Sequence, residues 1–259
     1  MTNWLVNLPD QIAIFTLIFV RMGALFVITP IFGRREMPSY MKVSFAFFVA
    51  IIVLPSMTGV HLEYSNMIEF TGMVLKEFLV GIIMGYVSFV VFASLYVSGQ
   101  VMDMQIGFGM VNVLDPLMGS QVPLVGNFFY IITALFFLMV DGHHVLFNAL
   151  FMSYKIIPLS GLVFSSSLLP NIVSVVSITF LIGFQISMPI LAALLMTEVA
   201  LGILSRTVPQ MNIFVVGMPL KLGLGLLTLY FMLPVFFRVM NLFFDKMYTY
   251  LFLIMKSMV

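Results

Sequence analysis

Long apolar segments separated by short polar breaks run through the whole chain. Six of them approach or exceed the length of about 20 residues that an α-helix needs to cross a bilayer. They are residues 12–32, 43–60, 72–97, 128–154, 172–205 and a last stretch that ends at residue 237. This pattern predicts an all-α, polytopic membrane protein.

The longest break in the pattern lies at residues 99–126, GQVMDMQIGFGMVNVLDPLMGSQVPLVG. Its glycines and prolines disfavour regular helix, yet its aliphatic, Met and Phe residues are too apolar for an ordinary solvated loop. Irregular backbone at membrane depth is tolerated only inside protein or beside water. The stretch therefore predicts a gate, a plug or a re-entrant element, with an interfacial hairpin loop as the alternative.

The fifth segment is too long for one crossing. As a single helix it would extend about 50 Å, against a hydrocarbon core of about 30 Å. Pro189 lies near its middle, just after Gly183 and Ser187, and predicts a kink or a helical hairpin. The following residues 208–221 repeat the mixed apolar and breaker character of the central stretch. Residues 238–259 predict a short amphipathic helix, with a plain membrane-surface anchor as the alternative.

Several charges lie inside apolar segments and need partners there. Arg21 is near the middle of the first segment, and the adjacent Lys76 and Glu77 point about 100° apart on a helix, so each needs its own partner. Glu198 and Arg206 share a stripe but stand about 12 Å apart along a helix axis, so they are expected to pair elsewhere. The GIIMG spacing of Gly81 and Gly85 predicts close packing on another helix, or is a chance match.

Composition agrees with a membrane protein. Of the 259 residues, 62% are hydrophobic and 8% are charged, with a mean hydropathy of +1.18, whereas soluble domains carry about 25% charge. The net charge of +1 excludes the basic footprint of a nucleic-acid partner, and zero cysteines exclude thiolate catalysis and Cys-type metal sites. Basic residues at 33–42 place that loop in the cytoplasm and the N-terminus outside.

Candidate chemistry is sparse. The DGHH motif from Asp141 to His144 is interpreted as a polar break, because HExxH and GxSxG spacings are absent. No enzyme activity, cofactor or dedicated metal site is expected. A proton-coupled transporter, with Arg21, Glu77, Asp103 and Glu198 along its path, remains an alternative, although the internal repeats typical of transporters are not found.

Five stretches resemble one family. RMGALFVITPIFGRREMPSYMK, LKEFLVGIIMG, GQVMDMQIGFGMVNVLDP, DGHH and EVALGILSRTVPQMNIFVVGMPLK are similar, in this order, to the FliR family of flagellar biosynthetic proteins. Virulence-secretion subunits of the SctT or SpaR type share the architecture, but QIGFGMVNVLDP and PQMNIFVVGMPLK favour the flagellar branch.

The resemblance implies that residues 1–259 form one subunit of a type III export gate, which passes unfolded flagellar proteins across the inner membrane. It implies a helical pore in which several copies of FliP and FliQ accompany one copy of this chain. FlhB and FlhA are further expected partners. It also implies bent helical hairpins and a complex in the flagellar basal body, displaced toward the periplasm.

The resemblance also implies roles for particular residues. Pore-plugging residues would be Gly107, Phe108, Gly109, Met110, Val113, Asp115, Pro116, Met118, Gly119 and Gln121. Charges at subunit interfaces would be Arg21, Lys76, Glu77, Glu198, Arg206 and Lys221, with pairing inside the chain left open. Helix kinks or close contacts are expected at Gly81, Gly85, Gly183, Pro189 and Gly202.

Overall fold

The computed structural model describes residues 8–33, 37–57, 62, 64–109, 123–210 and 212–259, and every long regular element among them is an α-helix. A short 3₁₀ turn, Leu54–Met57, follows the second helix. The helices are α1 (Leu8–Ile28), α2 (Ser39–Val53), α3 (Met67–Ile106), α4 (Leu124–Met139), α5 (Gly142–Ile156), α6 (Leu168–Thr207) and α7 (Ile213–Lys256). The predicted all-α class is confirmed.

The helices have the length and composition of membrane spans. In the part of the chain that the structure describes, five are long and apolar enough to cross a membrane, or six if α4 and α5 form one span. The longest, α3 and α6 with 40 residues and α7 with 44, each extend about 60 Å or more, twice the hydrocarbon core of about 30 Å. The chain is therefore a polytopic membrane protein.

The chain divides into two compact units. The first unit contains Met1–Val91, Asp141–Val175 and Lys246–Val259, and the second contains Phe92–Val140 and Val176–Asp245. Because these boundaries fall within helices, α3, α6 and α7 each supply residues to both units.

The core of the first unit follows helical periodicity. In α2, for example, the buried residues Ala46, Val49, Ala50 and Val53 form one stripe, and α2 packs on α1. A cluster of four phenylalanines, with ring centroids 5.2–6.3 Å apart, lies beside this contact. Its members are Phe26, Phe32, Phe45 and Phe147.

Glycines bring α3 unusually close to α1 in the first unit. A Cβ on Gly81 would lie 2.4 Å from the Arg21 carbonyl oxygen, and a Cβ on Gly85 would lie 3.0 Å from the Ile28 Cβ. Small residues four apart permit such backbone approach in an apolar medium. Gly81 and Gly85 thus lie where α3 and α1 of the same chain approach closely.

The second unit is built around aromatic side chains of α3, α4 and α7. Phe92 lies 5.8–6.1 Å from four other rings, those of Tyr130, Phe137, Phe243 and Phe244. Gly183 of α6 packs against α3, since a Cβ there would lie 2.8 Å from the Ser94 carbonyl oxygen. Aromatic edges and small residues thus interlock these helices.

The predicted break at DGHH is found, and the helices that border the central stretch extend into the break predicted there. The polar break at DGHH separates α4 from α5, and Asp141 adopts a left-handed φ of 54° there. The central break was predicted from residue 99, whereas α3 continues to Ile106 and α4 already begins at Leu124. Gly99 serves close helix packing in place of helix termination.

Other predicted breaks are wrong, because these helices continue through proline. α6 runs through Pro189 without folding back, so the helical-hairpin alternative is wrong, and a kink there stays a prediction. α7 begins at Ile213, inside the stretch expected to be irregular, and continues through Pro219 and Pro234 to Lys256. The C-terminal amphipathic segment is therefore part of α7. In an apolar medium, a proline inside a helix removes one backbone hydrogen bond. Ending the helix there would cost more, because several backbone N–H and C=O groups would lose their partners.

Replacing Gly81 with Ala should destabilise the chain by about 1–3 kcal/mol, because the added methyl would overlap the α1 backbone. Gly72, on the same helix, is the matched control: its Cβ would meet nothing within 4 Å, so Gly72→Ala should be neutral or stabilising by up to about 1 kcal/mol. Thermal unfolding of both variants in detergent measures the difference. Equal stability of the two variants would contradict the close contact.

Candidate functional site

The central segment leaves α3 through a glycine turn. Gly107 has φ 104°, a conformation that favours glycine, and its N–H donates to the Asp103 carbonyl oxygen at 3.1 Å. Of the predicted plug residues, the structure describes Gly107, Phe108 and Gly109. The others, Met110, Val113, Asp115, Pro116, Met118, Gly119 and Gln121, lie outside the described residues.

The first turn of α4, which follows the central segment in the chain, contacts the end of α3. The buried Asp103 side chain accepts a hydrogen bond from the Val125 N–H at 3.2 Å, in the first turn of α4. One turn earlier on α3, a Cβ on Gly99 would lie 2.0 Å from the Gly126 Cα. The two helices bounding the central segment are thus joined by a polar contact and a close glycine contact, both within the second unit.

A cavity of about 900 Å³ lies beside the exit from α3, within the second unit. Its lining is mostly apolar and includes Met104, Ile106, Gly109, Leu201, Phe214 and Met218. Gly107 and Gly109 both line it, so the central segment leaves α3 along the cavity wall. Glu198 and Lys221 supply the charged part of the lining.

Glu198 of α6 forms an ion pair with Lys221 of α7. The Lys221 side chain is 25% exposed and that of Glu198 is 43% exposed. The expectation that Glu198 does not pair with Arg206 agrees with this contact, whose partner lies on the next helix. Arg206 itself is exposed, and a Cβ on Gly202 would meet nothing within 4 Å, so the close helix packing expected at Gly202 is not seen among the described residues.

A second group of charges lies in the core of the first unit. Arg21 is fully buried; its Nε donates to Glu77 at 2.5 Å, and its terminal nitrogens donate to the Ser153 hydroxyl at 3.2 Å and the Ile157 carbonyl at 3.1–3.2 Å. Its guanidinium also lies 4.2 Å from the centre of the Tyr154 ring. The charge is thus surrounded by an anion, two acceptors and an aromatic face.

The side chains of Glu77 and Lys76 diverge, as predicted, but both form hydrogen bonds with the backbone of Ser160. The second Glu77 oxygen accepts from the Ser160 N–H at 2.8 Å, and Lys76 donates to the Ser160 carbonyl at 3.3 Å. Ser160 has a φ of 62°, uncommon for a residue with a side chain, so these contacts hold a strained turn. For Arg21 and Glu77 the structure shows pairing inside the chain, the alternative that the sequence left open.

The DGHH motif brings three donor groups together at the start of α5. Ligand atoms of Asp141, His143 and His144 lie within 4.8 Å of one another, and His143 Nδ1 is buried with no hydrogen-bond partner among the residues described. Asp141 and His144 are largely exposed, so water competes for both side chains. Three such groups have the chemistry of zinc ligands. The sequence-based expectation of no dedicated metal site stays a prediction.

Sequence patterns missed the contact of Asp103 with the start of α4 and the contacts of Arg21 with Ser153 and Ile157. Pro123 at the start of an apolar run is a helix-start signal that could have placed α4 and suggested a cap. By contrast, no local pattern connects Arg21 with Ser153 and Ile157, which are far apart in the chain. Pro189, expected at a kink, lies exposed on α6.

Comparison with known proteins gives one consistent result. The sequence model of a family described as "Bacterial export proteins, family 1" matches residues 12–247. Flagellar biosynthetic protein FliR of Bacillus subtilis (strain 168) is 34% identical over 247 residues, covering 91% of this chain and 92% of that protein. The proteins of the same name from Pectobacterium carotovorum subsp. carotovorum and Escherichia coli (strain K12) are 29% and 26% identical, covering 83% of this chain and 82% of each relative.

Replacing Glu77 with Gln should destabilise the chain by about 3–5 kcal/mol, because Arg21 would remain charged, buried and without its anion. Replacing both partners with Met should recover most of that loss, since no charge is then buried. Unfolding of the full chain in detergent with increasing denaturant measures both effects.

The control is Glu198→Gln, which removes a partly exposed ion pair and should cost about 1 kcal/mol or less. A Glu77→Gln variant no less stable than Glu198→Gln would show that the buried pair is not a main support of the fold.

Proposed function

This chain belongs to the bacterial export proteins, family 1, and on that premise we propose that it is a core subunit of the flagellar type III protein export gate. The main support for this proposal is that the family's sequence model matches residues 12–247, which is nearly the whole chain. The curated relatives described above are all named flagellar biosynthetic proteins, which favours a flagellar system over a virulence system of the SctT or SpaR type.

The proposed partners are FliP and FliQ, several copies of each around one copy of this chain, with FlhB and FlhA joining the assembly. Support comes from the Glu198 and Lys221 pair, which is partly exposed on long apolar helices. A charge facing lipid is costly, whereas protein or water can satisfy it. We therefore assign this part of α6 and α7, with Arg206, to contact with partner subunits in preference to lipid.

The proposed role of residues 107–121 is to close the channel when no substrate passes. Their sequence combines glycines with Phe108, Met110, Val113 and Met118. Apolar contacts are non-directional and Met adapts its shape, so such a closure would seal against varied unfolded proteins without selecting particular sequences. The glycine turn at Gly107 and the joined ends of α3 and α4 support a segment presented from a fixed base.

The proposed location is the bacterial inner membrane, within the flagellar basal body, with the assembly displaced toward the periplasm. Helices twice as long as the hydrocarbon core support an assembly that extends beyond the bilayer. A transporter path through Arg21, Glu77, Asp103 and Glu198 has less support, because all four side chains are engaged in hydrogen bonds or ion pairs inside the chain.

Co-expression of the tagged chain with FliP and FliQ, followed by native mass spectrometry in mild detergent, should give one hetero-oligomer containing a single copy of this chain. Glu198→Gln should lower the yield of that complex severalfold, because it removes the charge proposed to face partner subunits. The measurement is the mass and abundance of the purified complex.

Glu69→Gln is the matched control, since Glu69 is exposed in the first turn of α3, and it should leave the yield unchanged. A stable monomer that ignores both partners would overturn the export-gate function. Equal yields from both variants would remove the interface role of Glu198.

Deleting residues 109–119 should leave assembly intact but raise the conductance of the membrane to small ions, because the proposed closure would be lost. A variant with the same residues replaced by an equally long Gly and Ser sequence separates loss of length from loss of apolar contacts. Ion flux into vesicles containing the complex gives the readout. Unchanged flux in both variants would contradict a plug.

A further inference from the structure

We infer that Asp103 is a positioning residue, whose side chain fixes the start of α4 against the end of α3 and so sets where the central segment begins and ends. The structural part of this inference rests on described residues of the second unit alone. Its meaning for channel closure rests on the proposed function.

Asp103 is 6% exposed within an apolar helix, where a carboxylate needs partners. Its carboxylate accepts a hydrogen bond from the Val125 N–H at 3.2 Å. The Val125 N–H belongs to the first turn of α4, and the N–H groups of a first turn have no partner inside their own helix. Asp103 therefore caps α4 from a different helix.

Among the residues that the structure describes, none of the local sequence caps the start of α4. Its N-cap residue is Pro123, which makes no side-chain hydrogen bond to the helix. A negative side chain at a helix N-terminus also interacts favourably with the helix dipole. Asp103 supplies both the acceptor and the charge that the local sequence of α4 lacks.

Two contacts stand one turn apart on the same face of α3, because Gly99 and Asp103 are separated by four residues. The Gly99 and Gly126 contact sets how closely the two helices approach. The bond from Val125 to Asp103 is directional, so it sets the axial position of α4 along α3. The backbone carbonyl of Asp103 also accepts from Gly107, so one residue closes the last turn of α3 and caps α4.

The absence of cysteine makes this inference directly measurable. Met104 and Leu124, with exposed fractions of 72% and 61%, can be replaced by Cys and spin-labelled at the two ends. Pulsed electron–electron double resonance on the full chain then gives the distance distribution between the two spin labels. A second pair at Leu135 and Leu227, both exposed within the second unit, reports whether that unit stays folded.

Asp103→Leu keeps a similar size but accepts no hydrogen bond. It should add a longer-distance component, with the detached state about tenfold more populated. Asp103→Asn keeps one acceptor oxygen and should restore most of the original distribution. Ser98→Ala is the matched control, because Ser98 is a buried polar residue of α3 whose hydroxyl has no hydrogen-bond partner in the described part of the chain, and it should change nothing.

An Asp103→Leu distribution identical to that of Ser98→Ala would overturn the inference. If the second label pair shows that Asp103→Leu is unfolded, Asp103→Ala takes its place with the same expected result. Ion flux through the assembled complex separates the two proposals. A changed distance with unchanged flux would support the Asp103 contact and contradict the plug, whereas an unchanged distance would contradict the Asp103 contact whatever the flux.

Discussion

The charge of Arg21 is the constraint around which the first unit is organised. A guanidinium with no solvent contact is tolerable only if an anion and hydrogen-bond acceptors surround it. Here those groups come from α3, α5 and the turn after α5, so satisfying one side chain requires three separate pieces of chain to be in place. The glycines at 81 and 85 allow this arrangement, because they let α3 approach α1 at the level of Arg21.

Sequence patterns predicted the fold class, most of the apolar segments and the need of the buried charges for partners. Apolar periodicity and composition suffice for an all-α membrane protein, because a bilayer leaves few other ways to satisfy the backbone. The same reasoning required partners for Arg21, Lys76, Glu77 and Glu198, since charges inside apolar helices are costly. The spacing of Gly81 and Gly85 indicated either close packing on another helix or a chance match. These predictions depend only on local spacing and on the surrounding solvent.

The errors have a common origin in the membrane environment. Pro189, Pro219 and Gly99 are breaker residues in water, but α6, α7 and α3 continue through them, because an interrupted helix would leave backbone groups unsatisfied. Partner identities could not be predicted either. Nothing near Arg21 in sequence points to Ser153 or Ile157, and nothing near Glu198 points to Lys221, because tertiary packing alone brings these residues together.

The Gly99 and Gly126 contact has a consequence for the length of the connection between α3 and α4. It joins the helices on either side of the central segment, so these two helices offset part of the entropy of closing that loop. Loop-closure cost rises slowly with length, by about 0.6 kcal/mol for each doubling. The pairing of α3 and α4 should therefore tolerate a longer or shorter connection at a small cost in stability.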